Sequence, residues 1–227
     1  MAQIYGTPPI VTDSLVLYLD ASDTASYPGS GATWADLSGI GNDGSILRAT
    51  FSTAFGTKSF DFDGSDDWID VGDIGDVFGT SFAVDLWIYP ENLTARQEFI
   101  GQKVDGDNWW RFGIDSSGEG GNYEIDVEVS DSRVVALNPD KSFVINKWQH
   151  IVLSRNSSDW NFYLNGALDV TASDADTIPD MAASVKIGKA VDSSYEGQMA
   201  VVRVYNRYLT AAEILQNYNA QRGRFGV

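Results

Sequence analysis

The chain has no cysteine and a single histidine, His150, among its 227 residues. Without cysteine no disulfide framework can form, and thiolate-ligated zinc or iron–sulfur sites are excluded. Any metal would have to be a hard, oxygen-ligated cation. Positive charge is also scarce: 15 Lys and Arg stand against 32 Asp and Glu, a formal net charge of −17. That balance argues against nucleic acid or an anionic membrane as a partner. No apolar run approaches the length of a membrane span. The opening, MAQIYGTPPIVTD, has neither a basic n-region nor an apolar h-region, so synthesis in the cytoplasm without a signal peptide is expected. No G-x-S-x-G elbow is present, which sets aside a serine-hydrolase triad.

What is present reads as sheet. Hydrophobic residues make up 43% and aromatics 12% of the chain, enough for one domain with a substantial core and a composition that favours strands. Period-two segments bounded by Gly, Asp, Asn or Ser predict strands at 15–19, 59–62, 68–71, 82–89, 99–103, 109–114, 123–130, 148–155, 160–164, 185–188 and 199–205. Asn165-Gly166 marks a hairpin turn. One helix is expected at the end. Thr210 and Glu213 form a capping box, Leu209 and Ile214 a hydrophobic staple, and Ile214, Leu215 and Tyr218 an apolar stripe.

Several phrases in order resemble the laminin-G-like branch of the concanavalin A-like lectin/glucanase jelly rolls. They are Trp34-x-Asp36-x-Ser38-Gly39 with Gly41-Asn42-x-Gly44, then Phe60-x-Phe62-Asp63-Gly64, Phe82-x-Val84 with Trp87-Ile88, Trp148-x-His150, and Phe162-Tyr163-x-Asn165-Gly166. The closing strand and helix, YEGQMAVVRVYNRYLTAAEILQNY, fit the same family, except that Ala200 and Val201 stand where it has an acidic pair. The resemblance implies an all-β, two-sheet antiparallel jelly-roll sandwich over 15–221 with one short C-terminal helix, an arm at 1–14 and a tail at 222–227. The opening LVLYLDASDTASYPGSGATWADLSG and the ending QNYNAQRGRFGV resemble the version found in bacteriophage virion proteins. This implies a non-enzymatic virion-surface role, as capsid decoration or tail-associated adhesin, with surface glycans, other virion proteins or further copies of itself as partners. A purely structural capsid protein without ligand is the plainer alternative.

Candidate sites follow. Trp109-Trp110-Arg111 is the leading carbohydrate contact, because adjacent strand residues face opposite ways and one indole could be displayed for stacking on a pyranose; the alternative is that both rings pack, one in the sandwich and one under a loop. Asp85, Trp87 and Tyr89 share one strand face, and Asn161, Tyr163 and Asn165 another; on an open concave sheet these would line a mixed polar and aromatic groove, and under covering loops they would be structural hydrogen-bonders only. The segment Glu124-Ile125-Asp126-Val127-Glu128 resembles the E-x-D-x-E catalytic strand of laminarinase-type and lichenase-type glycoside hydrolases. There Glu124 would be the nucleophile, Glu128 the acid/base, and Asp126 their tuner. An amphipathic strand with a solvated acidic face explains the same residues. Asp20, Asp36, Asn42, Asp43, Asp63, Asp66 and Asp67 offer oxygens suited to one structural calcium, and the resemblance places such an ion near these loops; Asp20, Asn42, Asp43 and Asp63 are the expected ligands. Asp and Asn favour turns for local reasons too. The basic tail residues Arg222 and Arg224 are candidates for docking an acidic neighbouring subunit, or equally belong to a frayed end.

Overall fold

The computed structural model describes residues 7–115, 124–129, 132–137 and 143–227. Two antiparallel sheets face one another across an apolar core. The strands are β1 (Leu15–Asp20), β2 (Thr33–Trp34), β3 (Gly44–Leu47), β4 (Thr50–Ser52), β5 (Ser59–Asp63), β6 (Trp68–Asp70), β7 (Ser81–Pro90) and β8 (Gln97–Lys103). They continue as β9 (Trp109–Asp115), β10 (Glu124–Val129), β11 (Ser132–Leu137), β12 (Gln149–Asn156), β13 (Asp159–Leu164), β14 (Ala167–Ser173), β15 (Val185–Ile187) and β16 (Glu196–Tyr205). The first sheet runs β14-β13-β12-β7-β16-β5-β4, with β1 also on β16; the second runs β11-β10-β9-β8-β15-β6-β3-β2. This is the expected all-β sandwich.

Alternation decides which residues enter the core. On β7, Phe82, Val84, Leu86 and Ile88 point inward with Ile151 and Leu153 of β12 and Val202 and Val204 of β16. The opposite face of these three strands carries Ala83, Asp85, Trp87, His150, Val152, Ser154, Val201 and Arg203, and it is buried as well. A strand buried on both faces needs a cover outside the sandwich. That cover is the helix α1, Ala211–Phe225.

The capping box forms as expected: the Thr210 side chain accepts the Glu213 backbone N–H, and the Glu213 carboxylate accepts the Thr210 backbone N–H. Leu209 and Ile214 share one buried cluster, as a staple requires. The expected stripe is corrected at Leu215, which is exposed. The inward face is instead Ile214, Asn217, Gln221 and Phe225, at helical spacing but half polar, because the sheet surface below it is polar. The helix also runs through residues 222–225, so the expected tail is its last turn. Arg224 Nη1 donates to both Asp20 oxygens at 2.9 Å, so a counter-charge within the chain satisfies one of the two cations assigned to subunit docking; Arg222 is exposed, 5.7 Å from the Tyr218 ring. The N-terminal arm is tied in the same way, with Val11 N donating to Asn217 Oδ1 at 2.8 Å.

Candidate functional site

The groove expected from Asp85, Trp87 and Tyr163 exists as a sheet face but is filled by α1, so none of the three presents a binding surface. Trp87 stacks on Phe225 at 3.9 Å between ring centroids and 9° between planes, and on Tyr218 at 5.8 Å. Tyr163 packs with Leu209 and Ile214. Asp85 accepts from Arg203 Nη2 at 2.9 Å, His150 Nε2 at 3.0 Å and Asn217 Nδ2 at 2.8 Å. Burial opposes its charge, yet the Arg203 guanidinium and the His150 and Asn217 donors outweigh that cost and hold Asp85 below the usual carboxylate range. A depressed pKa contributes stability that is complete above the unfolded value of about 3.9 and is lost as pH falls through the folded one. The near-ultraviolet circular dichroism of the Trp87 stack should therefore hold down to about pH 4 and collapse only below it.

Trp109, Trp110 and Arg111 also lie on a strand as predicted, but neither indole is displayed. Trp110 enters the core and donates Nε1–H to Gln102 Oε1 at 2.6 Å. Trp109 points outward from the second sheet, but its ring lies under the Arg111 guanidinium at 4.8 Å and its Nε1–H is taken by Gly106 O. Arg111 is itself buried, donating to Glu98 at 3.1 Å and Asp192 at 2.7 Å. Glu98 is the hub of this region. Its carboxylate accepts four consecutive backbone N–H groups, from Ala190, Val191, Asp192 and Ser193, at 2.7–3.2 Å. Burial pushes the Glu98 carboxyl up, against the pull of those N–H groups. The four amides wrap the loop after β15 around one side chain.

The four expected calcium ligands do not converge. Asp20 is engaged by Arg224. Asn42 Nδ2 donates to Val16 O, and Asp43 Oδ1 accepts from Asp36 N. Asp63 lies instead with Asp66 and Asp67, whose ligand oxygens fall within 4.8 Å of one another. Burial, then the charges of Asp63, Asp66 and Asp61, raise the Asp67 carboxyl, which a cation would relieve. Against this, Asp67 Oδ2 already accepts the Asp63 N–H, and Asp66 pairs with Arg48. Glu124, Asp126 and Glu128 belong to β10, between β9 and β11, and their side chains lie outside the described residues.

A candidate site that the sequence did not single out lies on the outer face of the second sheet. On β6, Ile69 enters the core, so Trp68 must face outward; on β15, Val185 and Ile187 enter the core and Lys186 faces outward by the same rule. The two strands pair antiparallel, Ile187 with Ile69. Trp68 remains half-buried and lines a pocket of about 300 Å³ with Lys103, Val104, Lys186, Lys189, Ala190 and Val191. The Glu98-anchored loop supplies the last three walls. Gly188, at φ 89°, makes the turn into that loop, where a Cβ would enter the Phe62 ring. The signal was in the sequence: a tryptophan adjacent to a core isoleucine, on a strand that the second sheet needs.

Residues 63–215 match the laminin G 3 family, described as the concanavalin A-like lectin/glucanases superfamily. The chain belongs to this family. A comparison with curated proteins finds no match. Among solved structures, this family member is similar to domain 4 of AbnA, a GH43 extracellular arabinanase from Geobacillus stearothermophilus, in complex with arabinotriose. Identity is 17% over 90% of this chain and 98% of that one, with a TM-score of 0.72. The binding domain of Paraclostridial Mosquitocidal Protein 1 follows, at 16% identity over 92% and 52% of the two chains and a TM-score of 0.69. The binding domain of botulinum neurotoxin DC in complex with SialylT is similar at 17% identity over 92% and 52%, with a TM-score of 0.64. This chain thus spans about half of each toxin chain. Identities at this level establish a shared fold.

Proposed function

We propose that this protein is a non-enzymatic glycan-binding domain whose site is the pocket beneath Trp68. The observation that carries the reading is a half-buried indole flanking a concave site of about 300 Å³, at the lower end of the range for small-ligand pockets. An aromatic face of this kind stacks on the apolar side of a pyranose, while ammonium groups at the rim bond its oxygens. The likeness to domain 4 of AbnA, solved with arabinotriose, supports the class of ligand. The opening and closing phrases that resemble bacteriophage virion proteins support placing this binding on a particle surface, which immunogold labelling of particles from a producing lysate would test.

A glycan and bacterial-polysaccharide array, run once with calcium and once with chelator, tests the proposal. Specific retention is expected, weakened more than about thirtyfold by Trp68→Ala, and unchanged by Leu215→Ala on the exposed face of α1. Retention indifferent to Trp68 would sink the site, and no retention at all would leave a structural tile. The same glycans incubated in buffer with and without the protein should show no difference in chain length; cleavage that is lost in Glu124→Gln would favour the hydrolase reading instead.

A further inference from the structure

The side chains of the Trp68 pocket have an unusual chemical bias. Trp68, Lys103, Val104, Lys186, Lys189, Ala190 and Val191 line it, and no side chain among them carries an acceptor: the indole and the ammonium groups only donate, and the others do neither. A neutral sugar hydroxyl both donates and accepts, so sites for neutral sugars gain from carboxylates and amides that can do the reverse. This wall gains most from a ligand rich in acceptors and poor in donors.

Charge points the same way. The chain carries only 15 cations against 32 carboxylates, yet three lysines border this one pocket and Arg48 lies 5.5 Å from the Trp68 ring. Arg48 is paired with Asp66, and Lys189 Nζ donates to Ser65 O. Lys103 and Lys186 make no ion pair among the described residues. Lys186 stands directly across from Asp70 in the sheet, but its Nζ lies over Trp68, 5.6 Å from the ring centre, and Asp70 accepts the Gly72 N–H. Asp192, at the other end of the loop, is held by Arg111. Asp66, Asp70 and Asp192 thus have partners, whereas among the described residues Lys103 and Lys186 are in no ion pair and Lys186 rests on the Trp68 ring alone.

We propose, on the footing of the glycan-binding reading above, that the pocket takes a pyranose bearing an anionic substituent, a carboxylate or a sulfate. The sugar ring stacks on the part of the half-buried Trp68 indole that Arg48 and Lys186 leave uncovered, and the anion sits between Lys103 and Lys186. The −17 body repels such a ligand at long range, but the Debye length is about 8 Å at about 0.15 M salt, so near physiological ionic strength the approaching anion feels the pocket more than the distant surface.

The test is calorimetric titration with three oligosaccharide series: uronate-containing, sulfated, and the uronate series after its carboxyls are reduced to alcohols. One or other anionic series is expected to bind, and which one does assigns the substituent. The reduced series should bind at least about tenfold more weakly, and Lys103→Gln and Lys186→Gln should each weaken anion binding about fivefold, with Lys186→Arg retaining it. Raising salt to about 1 M should weaken binding further. Equal affinity for the reduced series, together with neutral lysine variants, overturns the anionic assignment while loss in Trp68→Ala still upholds glycan binding. Absence of binding by every series, or indifference to Trp68, overturns both.

Discussion

Asp85→Ala is expected to destabilise the protein by about 3–5 kcal/mol, because it removes one partner of a buried ion pair and leaves the other charged and unpaired. For a chain of this size the loss corresponds to a melting temperature lower by about 6–20 °C. Asp85 and Arg203 are both fully buried, and burial is the dominant cost for each charge. His150 Nε2 and Asn217 Nδ2 lose their acceptor at the same stroke. Asp85→Asn should cost less, since its oxygen can still face Arg203. Its amide nitrogen, however, meets Asn217 Nδ2, which cannot flip freely because Asn217 Oδ1 holds Val11 N. The double variant Asp85→Leu with Arg203→Met should recover more than half of the single loss, as replacing both charges removes the penalty of the orphan. Urea and thermal unfolding of the four proteins give the comparison; a single-variant loss under about 1 kcal/mol would mean that α1 seats by shape alone.

Glu98→Gln should have the next largest effect, about 2–4 kcal/mol, and a second consequence at the pocket. A carboxylate can accept all four N–H groups of residues 190–193 and the Arg111 guanidinium together. A carboxamide of the same shape turns an NH₂ toward two of those donors. The loop should then loosen, and hydrogen exchange at the amides of Ala190, Val191, Asp192 and Ser193 should quicken far more than exchange in β7 or β16. Because Ala190, Val191 and Lys189 wall the Trp68 pocket, ligand affinity should fall at least about tenfold although residue 98 does not line it. Slower-exchanging amides with weakened binding would contradict this coupling.

The fold was legible because alternation is a local property. Phe82 to Tyr89 and Trp148 to Arg155 announce strands without knowledge of their partners. Strands β2, β3, β4, β11 and β14 went unread. The first three are only two to four residues long, too short to show alternation; β11 places Val134 and Val135 in succession, both buried, beside a bulge at Val127 and Glu128. β14 is a sheet edge whose residues are largely exposed. The candidate site was less legible for a different reason. Alternation says that Asp85 and Trp87 leave the core, but not that Asn217, Tyr218 and Phe225 of a distant helix will cover them. It likewise sends Trp109 outward without revealing Arg111 above it. Trp68 needed only the rule already applied to its neighbours.

The position of β16 in the first sheet bears on how the molecule is made. Along one edge β16 pairs with β7; along the other its first half joins β5 and its second half β1. The strand that unites these three is the latest of the described strands in chain order, and α1 follows it. Until residue 196 emerges, the sheet surface around Asp85 has neither its central strand nor its cover, and a nascent chain carries those unpaired edges throughout synthesis. Closure is therefore a late, long-range step, and a stalled or truncated product should be recognised by chaperones and proteases as unfinished rather than accumulate as a shorter domain.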